Sequence, residues 1–139
     1  MGIVYRVNNG GVIRNYKIIG SGSKLDGNSN IYTQGFFNEG LLNGNGCCVA
    51  KFSTNPVNIR KGSYINGIVD GVVLEYVFPL SLWNEFVSTP PNGISVTRYT
   101  QVFNNGTWVS CTSTDTVLIQ GTTTVNSKNY VNSFSFVEL

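Results

Sequence analysis

The stretch Gly35-Phe36-Phe37-Asn38-Glu39-Gly40-Leu41-Leu42-Asn43-Gly44-Asn45-Gly46 sets glycines at relative positions 0, 5, 9 and 11, with an aromatic residue two places after the first. Sliding the sequence by 27 residues lays Gly35, Phe37, Gly40 and Gly44 on Gly62, Tyr64, Gly67 and Gly71, and Asn43 on Asp70. A pattern written twice at this period signals a repeated supersecondary unit rather than a solitary ligand-cradling loop. In such a hairpin the glycines sit where the backbone turns or approaches a neighbour. The aromatic residue lies on a strand face and packs against its counterpart in the next unit.

The surrounding sequence extends the same logic. Helical periodicity is nearly absent, and short β-branched and aromatic runs recur between turn dipeptides, as in an antiparallel all-β domain. Asn-Gly occurs at 9–10, 43–44, 45–46, 66–67, 92–93 and 105–106, and Asp-Gly at 26–27 and 70–71. These pairs tolerate the positive φ of a type I′ turn, so each is a candidate reversal. Strands are predicted at Ile3 to Val7, Val12 to Ile19, Ile31 to Phe37, Cys47 to Phe52 and Ile59 to Ile65. Further strands are predicted at Val72 to Phe78, Ile94 to Phe103, Thr107 to Cys111, Thr116 to Ile119 and Tyr130 to Val137. Pro79 to Val87 is the one segment suited to a short helix, with Leu80, Trp83 and Phe86 on one side. Pro90-Pro91 stiffens the link that follows. The prediction is a single all-β domain over 1–139, an antiparallel sheet or sandwich of consecutive hairpins. The repeats occupy 31–78 and a C-terminal hairpin region 92–139.

The two glycine-and-aromatic units resemble the MORN repeat. Gly35 to Gly46 matches that pattern at every glycine, while Gly62 to Val73 keeps three glycines and has Val73 at the last position. The tyrosine that the pattern carries two residues before the first glycine is Thr33 in one unit and Arg60 in the other, with Tyr32 displaced by one. The period is longer than usual for MORN repeats, which the loop Ser53 to Val57 accounts for. The resemblance implies a ribbon of stacked hairpins that holds partners, dimerises or sits near membranes. It implies no enzyme chemistry, and the flanking strands must cap two such units.

Bulk composition bounds the partners. The 139 residues hold 41% hydrophobic side chains, enough for one core. The longest apolar run, Ile68 to Leu82, is interrupted by Asp70, Glu75, Pro79 and Ser81, so no transmembrane segment is expected. Charged residues are only 12%, with nine Lys and Arg against seven Asp and Glu. The cations are scattered, whereas a groove that tracks phosphates needs a basic stripe, so no nucleic-acid partner is expected. The N-terminus lacks a basic segment followed by an apolar one, which predicts synthesis in the cytoplasm without a secretory signal. Arg6 stands where a myristoylation motif requires Ser or Thr. Cys47 and Cys48 are neighbours on a predicted strand and point to opposite faces, so these two and Cys111 are expected to be buried free thiols.

Catalytic constellations are thin. With no histidine in the chain, the usual general base and the commonest metal ligand are both missing. The cysteine spacing gives no zinc ribbon. A carboxylate pair could be drawn from Asp26, Glu39, Asp70, Glu75, Glu85, Asp115 and Glu138, but no spacing selects two of them. Gly20 to Lys24, GSGSK, superficially resembles a phosphate loop; another loop sequence follows it instead of a helix, so it reads as a flexible connector. The aromatic residues read as cross-strand core pairs, and Asn105-Gly106-Thr107 reads as a hairpin tip. No cofactor is expected. The sequence points first to a non-enzymatic structural or assembly protein, a small viral or phage virion component such as a capsid-associated, spike or tail protein, forming a homo-oligomer or joining other particle proteins. The alternative is a MORN-like binding module for a small anionic ligand, a lipid or a protein. Its candidate site is Phe37, Arg60, Lys61 and Tyr64, where two adjacent cations would meet an anion.

Overall fold

The computed structural model describes residues 3–52, 54–88, 92–125 and 131–139. Among these residues eleven strands and one helix follow in chain order. They are β1 (Ile3–Val7), β2 (Val12–Arg14), β3 (Lys17–Asp26), β4 (Ile31–Asn38), β5 (Leu41–Leu42), β6 (Gly44–Lys51), β7 (Val57–Ile65), β8 (Ile68–Phe78), α1 (Leu80–Val87), β9 (Ile94–Asn104), β10 (Thr107–Val125) and β11 (Val131–Glu138). The all-β reading holds, and the strands form one sheet in the order β1-β3-β4-β6-β7-β8-β9-β10-β11, with β2 paired to β3 and β5 to β4. Every pairing is antiparallel.

The two faces bury different things. On one face Ala50, Ile59, Phe78, Val96 and Ile119 form the larger core, and α1 closes over it with Trp83 and Phe86. Phe78 stands at the centre of an aromatic cluster, its ring centroid 5.4 Å from that of Trp83 and 5.3 Å from that of Phe86. The sheet curls toward this side, because the Tyr76 ring on β8 meets the Phe136 ring on β11 at 4.9 Å although two strands lie between. The other face carries a smaller cluster of Ile18, Phe37, Leu42, Cys47 and Tyr64. Cys47 and Cys48 are buried in opposite clusters, as strand alternation requires. Cys111, in contrast, is exposed, because β10 is solvated there.

Along one edge the hairpin tips form a series. Asn15-Tyr16, Glu39-Gly40, Asn66-Gly67 and Asn105-Gly106 each have both φ values positive, between 48° and 85°, which is the conformation of a type I′ turn. The N–H of Gly40 donates to the carbonyl of Ile18 (2.9 Å), that of Gly67 to Leu42 (2.7 Å) and that of Gly106 to Val69 (2.8 Å). Each acceptor lies two residues beyond the preceding turn. The residue just after each turn covers the next turn glycine: a Cβ on Gly40 would lie 3.2 Å from Lys17, on Gly67 3.2 Å from Leu41, and on Gly106 2.9 Å from Ile68. Tyr16 opens the series, with its side chain 87% exposed, so it has no predecessor to exclude a side chain. Gly20, Gly44 and Gly71 repeat a second positive φ four residues beyond the turn. The hairpin repeat read from Gly35 and Gly62 is therefore a geometric unit, and it begins one unit earlier than the sequence slide reveals. Gly67→Ala should destabilise the fold by about 1–2 kcal/mol through the positive φ and the contact with Leu41, measurable as a lower urea midpoint; an unchanged midpoint would show that the turn series is loose.

Several local expectations are corrected. Val12 to Ile19 is not one strand but two, reversed at Asn15-Tyr16, where Asn tolerates the left-handed conformation. GSGSK is part of β3 rather than a connector. A Cβ on its Gly22 would stand 2.5 Å from the Arg6 carbonyl oxygen, so glycine there lets β1 approach. Asn43-Gly44, Asn45-Gly46 and Asp70-Gly71 do not reverse the chain. Gly44, Asn45-Gly46 and Asp70-Gly71 lie within β6 and β8, where glycines of positive φ kink the strands. Asp70 instead caps the next hairpin, its carboxylate accepting the Asn105 N–H at 2.8 Å. The two strands predicted between Thr107 and Ile119 are one, because bulges at Trp108/Ser110 and Cys111/Ser113 break the alternation without ending the pairing. In α1, Trp83 and Phe86 are buried while Leu80 is 48% exposed, so two of the three expected residues face the sheet. Pro90-Pro91, Tyr130 and Ser53 lie outside the described residues.

Candidate functional site

On the face opposite α1 a cleft of about 380 Å³ opens between the hairpins of β4–β5 and β7–β8. Its floor is apolar: Phe37, Leu42, Val49, Tyr64 and Val69. Phe37 and Tyr64 occupy the same position in the two repeat units, and the hairpin stacking brings them together. Leu41 and the turn glycines Gly40 and Gly67 form the rim at the turn edge.

The polar wall is set by register. Lys24, Thr33, Val49 and Arg60 face one another in a row across β3, β4, β6 and β7. Lys51 and Asn58 are paired in the next row on the same face. With strands about 4.8 Å apart and alternate residues nearly 7 Å along a strand, the three cations Lys24, Lys51 and Arg60 surround Val49 and Thr33. Among the described residues no carboxylate lines the cleft. Among the described residues neither lysine is in an ion pair. Arg60 meets Glu75 behind the wall through Nε, at 3.6 Å, and its guanidinium carbon lies 5.2 Å from the Phe103 ring centroid. Glu75, only 8% exposed, also accepts from the Gln101 amide, and Gln101 in turn accepts from the Trp108 indole at 2.6 Å. This chain of contacts holds Arg60 at the cleft from behind.

One feature marks the cleft as unfinished by its own side chains. The Asn58 carboxamide oxygen is buried without a hydrogen-bond partner among the described residues, an uncommon condition for a buried acceptor. Burial pushes the Tyr64 hydroxyl up to about 12, against the pull of Arg60.

Of the four residues singled out from sequence, Phe37, Arg60 and Tyr64 line this cleft. Lys61 lies across the sheet, its ammonium 3.9 Å from the Phe136 ring centroid in the larger core face. Adjacent residues on β7 point to opposite faces, so the expected pairing of Arg60 with Lys61 around one anion does not form. The cations that do share the cleft with Arg60, Lys24 and Lys51, come from other strands and went unselected. Elsewhere the carboxylates serve structure: Asp115 and Glu138 both grip Arg98, and Asp26 accepts the N–H groups of Asn28 and Ser29. Among the described residues no helix is long and apolar enough to cross a membrane. Comparison with protein-family models, with curated proteins and with solved structures finds no match to the chain.

Proposed function

We propose that the chain is a non-enzymatic binding module of MORN-like hairpins and that the cleft at Phe37, Tyr64 and Arg60 is its ligand site. One observation carries the reading: the equivalent aromatics of two repeat units meet on one concave floor beside Lys24, Lys51 and Arg60, with no carboxylate among the described lining residues. Concave, largely apolar sites with a few converging polar groups are the usual form of small-ligand sites, and about 380 Å³ falls within their range.

A second reading, in which copies of the chain assemble into a larger particle such as a virion, is favoured by apolar side chains left exposed near the turn edge. Leu41 is 50%, Ile65 53%, Ile68 45% and Trp108 56% exposed. Contiguous apolar surface of this kind is what an oligomer interface covers. Native mass spectrometry at several protein concentrations separates the two. A monomer carrying a retained small mass supports the binding module; a defined ligand-free oligomer, lost on Trp108→Ser with Ile68→Ser, supports assembly and counts against it.

A further inference from the structure

We infer that the cleft selects an organic anion: a single negatively charged head joined to an apolar body. The inference rests on the binding-module reading and adds the ligand class to it. The apolar floor of Phe37, Val49 and Tyr64 sets the body, since a polar ligand would desolvate against it without compensation. Lys24, Lys51 and Arg60 set the head.

These cations are arranged for a ligand rather than for the fold. Among the described residues the two lysines have no ion-pair partner, and Arg60 is engaged at its Nε by Glu75 and through the face of its guanidinium by Phe103. Its terminal guanidinium nitrogens, the pair that grips carboxylates and phosphates in two-point fashion, therefore stay available. Three like charges around one apolar patch repel one another, and an anion placed among them relieves the repulsion. Asn58, paired with Lys51, adds a neutral carboxamide at the same end. Lys61 plays no part, being on the far face.

The test compares three ligands of one chain length and different charge, octanoate, octanol and octylamine, followed through backbone amide signals of the intact protein by NMR titration. Octanoate should perturb the amides around Val49, Arg60 and Tyr64 and bind about tenfold more tightly than octanol, with the preference falling as salt is raised. Lys24→Gln with Lys51→Gln should erase most of that preference and leave octanol binding unchanged. Arg60→Gln should do the same, but it strands the buried Glu75, so the lysine pair keeps the test valid if that variant unfolds. Equal binding of octanol and octanoate, or a preference for octylamine, overturns the anion inference and leaves the binding module standing. No perturbation at the cleft by any of the three overturns both.

Discussion

Phe78→Ala should lose about 3–5 kcal/mol of stability, the range for deleting a buried aromatic side chain. Phe78 is completely buried, its ring meeting Trp83 edge-to-face and Phe86 at a tilt, the two aromatic residues by which α1 is anchored. An eight-residue helix is too short to persist alone in water. Removing the ring thus opens a cavity and also weakens the attachment of α1. Urea denaturation should show a much lower midpoint at nearly constant slope. The cleft, on the opposite face, should keep its octanoate preference as long as the protein is folded. A loss below about 1 kcal/mol would mean that the aromatic cluster is not the anchor of the fold.

Alkaline pH should be the second large perturbation. Burial pushes the Cys48 thiol from 9.0 up to about 11, and burial pushes the hydroxyls of Tyr64 and Tyr76 from 10.0 up to about 12; for Tyr76 the hydrogen bond to Glu138 adds to the effect. Below about pH 8 all three are protonated in both folded and unfolded chains and contribute no pH dependence. Above it the unfolded chain releases protons that the folded chain retains, so stability falls as pH rises toward 12. Cys48 alone accounts for about 2–3 kcal/mol. By pH 11 each tyrosine contributes less, because in the unfolded chain its hydroxyl begins to ionise about one pH unit above the thiol. Urea midpoints should be flat from pH 7 to about 8 and drop steeply by pH 11. Cys48→Val should make the fall between pH 9 and 11 shallower, what remains there coming from the Cys47 thiol, which burial also pushes up. Parallel curves for the two proteins would show that the thiol is not the group responsible.

What the sequence makes legible follows from how local each signal is. Alternation and turn pairs are local, so the all-β class, the short helix and the hairpins at Asn66-Gly67 and Asn105-Gly106 can be read directly. The first unit of the series stays hidden because Tyr16 stands where later units have glycine, and because the turns recur at 24, 27 and 39 residues rather than at one period. The longest interval holds α1 and its connection. Site residues divide in the same way. Phe37 and Tyr64 carry a repeat signature, whereas Lys24 and Lys51 reach the cleft through pairings across β3, β4 and β6 that no local pattern encodes. Lys61 is different, for the alternation that separates Cys47 from Cys48 also separates Lys61 from Arg60. That exclusion was available from the strand alone.

The turn series has a mechanical consequence. Each described strand pairs only with its sheet neighbours, β1 lies on one margin and β11 on the other, and the glycine contacts link each hairpin to the one before it. A load applied between these outer strands reaches one ladder at a time and opens it as a zipper opens, bond after bond, instead of shearing many bonds together. Resistance to pulling then resides in the α1-covered core, which reaches β11 through Phe136 and Glu138, so that the β1 margin opens first. The same serial linkage lets a hairpin be gained or lost within the ribbon with only its immediate neighbours re-fitted.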